Sequence, residues 1–281
     1  MKTLLSFGHG YSARALTPHL LAKGWRIIGT TRTADKADAL HAEGVEPLIF
    51  GGPLDDVITE VTHVLTSVAP TSARDPVLDA YSPVLEPHLG RMDWVGYLST
   101  TGVYGDHVGA WVDETTPLSP STERGRMRVA AEAAWRAICP ATHMFRLAGI
   151  YGPGRGPFAK VRAGTARRIV KPGQVFSRIH RDDIAQVLAA SIARPDPGAV
   201  YNLCDDDPAP PEDVIAHAAE LLGLPVPPAE DFATAEMSPM ARSFYAESKK
   251  VRNDRIKDAL GVQLLYPDYR TGLAALLADA E

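Results

Sequence analysis

Cysteine is scarce in this 281-residue chain, and long apolar runs and surplus positive charge are missing. The two cysteines, Cys139 and Cys204, are too few for a disulfide framework or a cysteine-built metal centre, so we expect core thiols. No apolar run reaches the roughly 18 residues of a membrane span. The net charge of −5 provides no general attraction to nucleic acid. These absences predict a cytoplasmic protein that binds neither nucleic acid nor a membrane.

The composition itself is that of an ordinary globular protein, 45% hydrophobic and 22% charged. Apolar segments typical of buried strands alternate with helical patterns through most of the chain. Continuous apolar strands separated by helices indicate a parallel sheet covered on both faces. The pattern predicts an α/β fold, a Rossmann-like doubly wound parallel sheet. Pro83 and Pro87 predict interruptions in the helix before the fifth strand.

Two segments break this alternation, residues 157–178 and the proline-rich stretch from 205 onward. We expect them to form a smaller C-terminal substrate-binding lobe beside the sheet. The predicted dinucleotide-binding domain spans 1–156, with 179–204 returning to it, and the lobe takes 157–178 and 205–281. Because no flexible linker separates these ranges, we expect one compact unit with two lobes.

The segment "GHGYSARAL" follows the first strand and opens the first helix. Gly8 would allow a tight turn, Gly10 would let the backbone approach a pyrophosphate, and Ala13 would let helix and strand pack closely. Free N–H groups at the helix start would bind the phosphates, and we expect His9 to be exposed or phosphate-adjacent. The predicted cofactor site includes this loop and two strand ends: Gly8, His9, Gly10, Tyr11, Ser12, Ala13, Thr31, Arg32, Ser67, Val68 and Ala69.

The end of the second strand indicates which nicotinamide cofactor is bound. An acidic residue there holds the ribose 2′-hydroxyl of NAD, whereas an arginine accommodates the 2′-phosphate of NADP. The sequence "GTTRT" places Arg32 at this point, with no acid before Asp35. Arg32, helped by Thr31 or Thr33, favours NADP over NAD. The alternative is a solvated arginine at a strand end.

Four ordered motifs carry a family resemblance: "STTGVYG", "VDETTPLSP", "FRLAGIYGPGR" and "RIHRDDIAQVLAASI". With the ending "YPDYRTGLAALL", they cover nearly the whole chain. The sequence resembles the extended short-chain dehydrogenase/reductase superfamily, of the NAD-dependent epimerase/dehydratase type. The resemblance implies a nicotinamide cofactor and a small-molecule substrate.

The resemblance also implies catalytic positions. Thr100 stands where the family's Ser/Thr hydrogen-bonds the reacting oxygen, and the adjacent Ser99 could substitute. The family's Tyr-x-x-x-Lys motif falls on Arg124 and Arg128, which is similar to the atypical subgroup lacking that motif. Arginine stays protonated, so Arg124 cannot act as an acid and base in turn, while Arg128 could still contact the nicotinamide ribose. The alternative is an outward-rotated helix start with both arginines solvated.

The predicted substrate side comprises Tyr104, Arg146, Tyr151, Arg155 and His180. The two tyrosines could supply a displaced phenol or simply pack, and the two arginines could bind an anionic group or be solvated. His180 precedes Asp182 and Asp183, which could suggest a metal cluster. We expect no metal there, with the aspartates capping a helix instead.

Two functions stay open at this point. The first is an NADP-dependent oxidoreductase or epimerase. Its substrate would be a small, sugar-like hydroxyl or carbonyl compound that could carry an anionic group. The second is a non-catalytic NADP-binding sensor or regulatory module, since the catalytic tyrosine and lysine are replaced. The retained substrate-side motifs favour the enzyme, as a monomer or homodimer.

Overall fold

The computed structural model of the protein describes residues 1–71 and 74–279. The strands are β1 (Thr3–Phe7), β2 (Arg26–Thr31), β3 (Glu46–Ile49), β4 (His63–Thr66), β5 (Trp94–Thr100), β6 (Trp111–Val112), β7 (His143–Leu147), β8 (Gly149–Tyr151), β9 (Arg168–Val170), β10 (Arg178–His180), β11 (Val200–Leu203), β12 (Ala229–Asp231) and β13 (Lys250–Val251). A 3₁₀ turn over Thr101–Tyr104 follows β5.

The helices alternate with these strands. They are α1 (Tyr11–Leu21), α2 (Ala34–Ala42), α3 (Asp55–Ile58), α4 (Pro76–Leu89), α5 (Glu123–Ile138), α6 (Phe158–Arg162), α7 (Arg181–Ala193), α8 (Pro211–Leu221), α9 (Pro239–Phe244), α10 (Asp254–Asp258) and α11 (Tyr269–Ala278). Within the described ranges, no helix combines the length and the apolar character that crossing a bilayer requires.

Seven strands form one sheet in the order β11-β7-β5-β4-β1-β2-β3. All six neighbouring pairs run parallel. The chain winds outward in both directions from the boundary between β1 and β4. In such a sheet, ligands bind beyond the carboxyl ends of the strands at this boundary. The predicted Rossmann-like doubly wound parallel sheet is therefore confirmed.

Each face of the sheet is covered by its own apolar core. On one face, α1, α7 and α10 pack on the strands through residues such as Leu16, Val187 and Ile256. On the other face, α4 and α5 contribute Tyr81 and Trp135. Burial of this apolar surface on both faces is what holds the helices to the sheet. Both cysteines are buried free thiols, so the expectation of core thiols is confirmed.

A third, smaller core lies beside the sheet and joins α6, α8 and α11 through residues such as Phe158, Val214 and Leu273. Three two-stranded parallel pairs accompany it: β8 with β10, β9 with β12, and β6 with β13. Ile256 and Leu260, although in the C-terminal range, pack in the first sheet core. Where the chain divides into two domains stays a prediction.

The helix before the fifth strand departs from the sequence prediction. α4 continues through Pro83 and Pro87, so the predicted interruptions are wrong. The Asp75 carboxylate caps its start by accepting hydrogen bonds from two backbone N–H groups. Both prolines face solvent. The opposite face holds the helix together because its apolar side chains recur every fourth residue in the core: Val77, Tyr81, Leu85 and Leu89.

Candidate active site

The loop between β1 and α1 has the backbone shape that its glycines predict. Gly8 has φ +68°, and a Cβ built on it would lie 2.9 Å from Val68 Cγ2. A Cβ built on Gly10 would meet only the Gly8 carbonyl oxygen, at 3.6 Å. The outer side of Gly10 is therefore open, while Gly8 fits closely against the chain that follows β4.

Neighbouring strands hold this loop in place. The Gly8 N–H donates to Thr30 Oγ1 at 2.8 Å, and the His9 N–H donates to the Thr30 carbonyl at 3.0 Å. On the other side, the Ser67 hydroxyl donates to the Gly8 carbonyl. No acceptor among the described residues receives the first N–H groups of α1, those of Tyr11, Ser12 and Ala13. Three free donors at a helix N-terminus suit a phosphate.

His9 is part of this loop but lies inside the protein. It is 4% exposed, and its Nε2 lies 2.9 Å from Thr17 Oγ1. Burial, with a smaller effect from the Arg14 charge, lowers the pKa of His9 to about 4. A Cβ on Gly29 would lie 2.9 Å from His9 Cβ, so glycine in β2 makes room for the ring. The expectation of an exposed His9 is wrong, and a neutral ring supports the loop instead.

Arg32 follows the carboxyl end of β2, where a ribose-binding residue is expected. Its side chain is exposed and forms no hydrogen bond or ion pair with any other described residue. Thr31, the last residue of β2, is half-buried and its carbonyl accepts from the Phe50 N–H. Arg32 is thus free to bind an added anion, which is compatible with both the cofactor assignment and the solvated alternative.

Thr100 and Ser99 point to different sides at the end of β5. Thr100 is half-buried, and its Oγ1 accepts the Gly102 N–H at 3.2 Å, leaving the hydroxyl proton for another acceptor. Ser99 is buried and donates to Glu132 Oε1 at 2.5 Å. The expectation that Ser99 could substitute for Thr100 is wrong, because successive strand residues face opposite ways and Ser99 faces α5.

Glu132 is the centre of a buried polar network behind Thr100. It accepts two hydrogen bonds from the Arg146 guanidinium, from Nε at 3.2 Å and Nη2 at 2.9 Å. Arg146 also donates to Tyr104 Oη at 3.0 Å, and Tyr104 donates to Asn202 Oδ1 at 2.7 Å. Arg146 is 4% exposed, so its solvated alternative is wrong. Burial raises the pKa of Tyr104 to about 12.

Arg128 lies between α5 and the end of β5. Its Nη1 donates at 2.9 Å both to Tyr97 Oη and to the Leu98 carbonyl. The side chain is half-buried, with the guanidinium 5.6 Å from the Tyr97 ring centroid. The solvated alternative is wrong for Arg128, which is held two residues from Thr100 along the strand. Among the described residues, no acceptor receives the N–H groups of Nε and Nη2.

Arg124 lies one helical turn earlier and is exposed. Its guanidinium carbon lies 4.7 Å from the Phe244 ring centroid, and Nη2 donates to Ser243 Oγ at 3.4 Å. Both partners belong to α9. Arg124, which stands at the family's tyrosine position, therefore faces the C-terminal lobe. Arg124 and Arg128 therefore lie one turn apart on α5 and have different partners, α9 for Arg124 and the end of β5 for Arg128.

Two arginines flank Tyr11 at the start of α1. The guanidinium carbons of Arg155 and Arg181 lie 5.6 Å and 5.1 Å from its ring centroid, and its hydroxyl donates to the Pro153 carbonyl at 3.1 Å. The segment after β8 is thus brought next to the glycine-rich loop. This arrangement places two positive charges beside the free N–H groups of α1.

The start of α7 departs from the sequence prediction. His180 is itself the N-terminal cap, because its Nδ1 accepts the Asp182 N–H at 3.2 Å. The Asp183 carboxylate is buried and accepts from the Leu265 and Tyr266 N–H groups. The expectation that the aspartates cap this helix is therefore wrong, because Asp183 instead fastens the loop before α11.

His180 and Tyr151 meet beneath that loop. Both are buried, and their ring centroids lie 5.1 Å apart, edge to face. Tyr151 donates to the Asp268 carbonyl at 3.4 Å, and burial raises its pKa well above the usual range. No group of three or more histidine, cysteine or acidic side chains converges as a metal site in the described part of the chain. Substrate contact by this pair stays a prediction.

The comparisons with known proteins agree with this architecture, although no family model matches the sequence. A conserved protein of unknown function from Silicibacter pomeroyi has a solved structure 63% identical to this chain, covering 100% of both chains with a TM-score of 0.95. Protein YeeZ from Escherichia coli (strain K12) is 29% identical over 284 residues, 95% of this chain and 97% of YeeZ.

A structure from Methylobacillus flagellatus, described as that of an NAD-dependent epimerase/dehydratase, is 28% identical. It covers 99% of this chain and 98% of that one, with a TM-score of 0.76. This similarity supports the assignment of the chain to the extended short-chain dehydrogenase/reductase superfamily, of the NAD-dependent epimerase/dehydratase type. This epimerase/dehydratase-type fold includes both the sheet and the smaller lobe. Membership of the superfamily's subgroup that lacks Tyr-x-x-x-Lys stays a prediction, carried by Arg124 and Arg128.

Three residues near the site were missed by sequence reasoning. Arg181 directly follows the motif histidine, so its closeness to the glycine-rich loop could have been inferred from that motif. Ser243 and Phe244 lie in a segment without any motif, 119 and 120 positions after Arg124. Only the packing of the lobe on α5 reveals their contact.

Proposed function

We propose that the chain binds NADP and is an oxidoreductase for a small anionic hydroxyl or carbonyl compound. The observation that carries the proposal is the open start of α1, with three free N–H groups and space beside Gly10. A pyrophosphate fits this cradle because its oxygens accept such donors and are stabilised by the helix dipole. Tyr11, Ser12 and Ala13 would hold it through their backbone.

The preference for NADP rests on Arg32. Its guanidinium is exposed and free of protein partners within the described residues, at the strand end where the adenosine ribose would lie. A 2′-phosphate would supply the anion that this guanidinium lacks, through charge-assisted hydrogen bonds. NAD offers only a hydroxyl at that point, and Arg32 has no carboxylate to accept from it.

The chain's own residues define the chemistry at the other end of the cleft. The bound cofactor would supply a hydride donor or acceptor. Thr100 would donate its hydroxyl proton in a hydrogen bond to the reacting oxygen of the substrate. Arg128, held by Tyr97 and Leu98, would bind the nicotinamide ribose, and Arg124 would bind the anionic group of the substrate.

Proton transfer cannot use the family's catalytic tyrosine, because Arg124 stands at that position. Arginine is a donor only and does not lose its charge near neutral pH. Tyr104 is buried, with a pKa raised to about 12 and both its hydroxyl contacts made to protein groups. The proton would therefore come from water or from a side chain other than these. The replacement of the family's catalytic tyrosine and lysine by Arg124 and Arg128 also favours the second candidate function, an NADP-binding sensor without turnover.

Isotope transfer separates these two functions. NADPH carrying deuterium at C4 is incubated with the protein and a small-molecule cell extract, and mass spectrometry searches for products heavier by one deuterium. The enzyme proposal expects at least one such product. Thr100→Val should abolish the labelled product and leave NADPH binding unchanged, because it removes only the hydroxyl donor.

Thr100→Ser is the matched control and should keep most of the labelled product, since it retains the hydroxyl. NADPH binding without label transfer to any compound would contradict the enzyme and support the sensor.

We also propose a cytoplasmic location, a small-molecule partner, and a monomer or homodimer. The sequence features that support this are the low cysteine content and the missing basic surplus.

A further inference from the structure

α9 presents exposed apolar side chains beside the start of α5. Phe244 is 53% exposed and Met240 is 68% exposed, although both are large and hydrophobic. None of the six residues of α9 is buried. Two large apolar side chains on one short element form a surface that another molecule can cover.

This apolar surface is combined with a positive charge. Arg124 lies over the Phe244 ring at 4.7 Å, and only one of its N–H groups has a hydrogen-bond acceptor, Ser243 Oγ, among the described residues. No described carboxylate forms an ion pair with it. A guanidinium over an aromatic face keeps its outer N–H groups free for a planar anion such as a carboxylate.

The position of α9 over α5 is fixed by the lobe. Arg242 donates to the Phe232 carbonyl at 3.3 Å and to the Ala235 carbonyl at 2.7 Å. Tyr245, directly after α9, stacks on the Phe232 ring with centroids 5.2 Å apart. These contacts lie on either side of Phe244 in the chain, so its ring is held beside Arg124.

We propose that Phe244 and Arg124 together select an aryl carboxylate as the substrate. The carboxylate would pair with Arg124, the aromatic body would pack on Phe244, and the reacting hydroxyl or carbonyl would lie toward Thr100. This inference rests on the proposed function and narrows its substrate class from small anionic hydroxyl or carbonyl compounds to aromatic acids. An aromatic ring stacks on phenylalanine in offset geometry and removes its exposed face from water.

Three matched probes test the selection by calorimetry in the presence of saturating NADP. Phenylpyruvate has the ring, the carboxylate and a carbonyl, pyruvate lacks the ring, and phenylacetone lacks the carboxylate. We expect phenylpyruvate to bind at least about tenfold more tightly than either of the others. Phe244→Ala should weaken phenylpyruvate about tenfold and leave pyruvate unchanged.

Arg124→Gln should weaken both keto acids by about 30-fold and leave phenylacetone unchanged. Arg126→Gln is the matched control, because Arg126 is exposed two residues away and donates to the Ser121 carbonyl. Equal binding of phenylpyruvate and pyruvate, or an unaffected Phe244→Ala variant, would overturn the inference. NADPH binding is measured separately on the same protein preparations without added NADP, and its failure would overturn the proposed function instead.

Discussion

At the scale of single residues, the two arginines of α5 differ in how firmly the protein holds them. Arg128 is half-buried and bonded to Tyr97 and Leu98, whereas Arg124 is exposed and touches only α9. A fixed guanidinium is suited to a part of the site that is always the same, such as the cofactor ribose. A free one is suited to a substrate group.

Arg128→Ala should therefore weaken NADPH binding by about tenfold, because it removes the charged donors that the proposed function assigns to the nicotinamide ribose. Arg126→Ala on the exposed side of the same helix should leave the dissociation constant unchanged. Fluorescence titration of NADPH measures both. Equal affinity of the two variants would show that Arg128 contributes only to packing.

Asp205 gives a prediction about pH. It is 1% exposed, and burial raises its pKa to about 8 against the opposing effect of the nearby Arg178 charge. The folded protein therefore keeps a proton that the unfolded chain loses near pH 3.8. The protonated Asp205 carboxyl makes its full contribution to the free energy of unfolding below pH 3.8. That contribution is lost as the pH rises to about 8.

Asp205→Asn removes this ionisation while keeping the shape of the side chain. The free energy of unfolding of the variant, relative to the wild type, should rise by a few kcal/mol between pH 4 and pH 8 and level off above that. Urea unfolding at a series of pH values measures the difference. Parallel stability curves would contradict a buried, protonated Asp205.

Sequence motifs located the strand end to within one residue, but not which hydroxyl faces the cleft. Ser99 and Thr100 have similar chemistry, and their roles differ because alternate strand residues face opposite ways. The network behind them could not be predicted, since Glu132 and Arg146 are ordinary charged residues in the sequence. Their burial as an ion pair depends on how α5 packs on β7.

At the scale of elements, α4 shows that tertiary packing overrides local preference. Pro83 and Pro87 remove two helical N–H groups, yet the apolar face of the helix keeps it continuous. The start of α7 shows a similar limit, because the sequence analysis assigned the cap to the two aspartates. Only the structure shows that His180 caps and that Asp183 fastens a loop.

Pro83→Ala should stabilise the protein by about 1–3 kcal/mol, because it restores an interior helical hydrogen bond at an exposed position. Pro76→Ala is the matched control: Pro76 stands in the first turn, where no intrahelical acceptor exists, so its effect should be small. Urea midpoints compare the two. A destabilised Pro83→Ala variant would mean that the ring itself packs favourably.

At the scale of the whole molecule, the sheet was predictable and the lobe's contacts were not. Continuous apolar strands, glycine-ended helices and the loop at Gly8 and Gly10 each indicate the same doubly wound sheet. The contact of α9 with α5 joins residues 119 positions apart, and no periodicity or motif in the sequence predicts it. The shape of the glycine-rich loop was therefore predictable from sequence, and the contact of α9 with α5 needed the structure.

The comparison of NADPH and NADH affinities tests the central claim most directly. Calorimetric titration of the wild type should show NADPH bound at least about tenfold more tightly than NADH, because the proposed function assigns the 2′-phosphate to Arg32. Arg32→Asp should equalise or reverse this preference in a folded protein. Equal binding of the two dinucleotides before and after the substitution, or binding of neither by the wild type, would contradict the account.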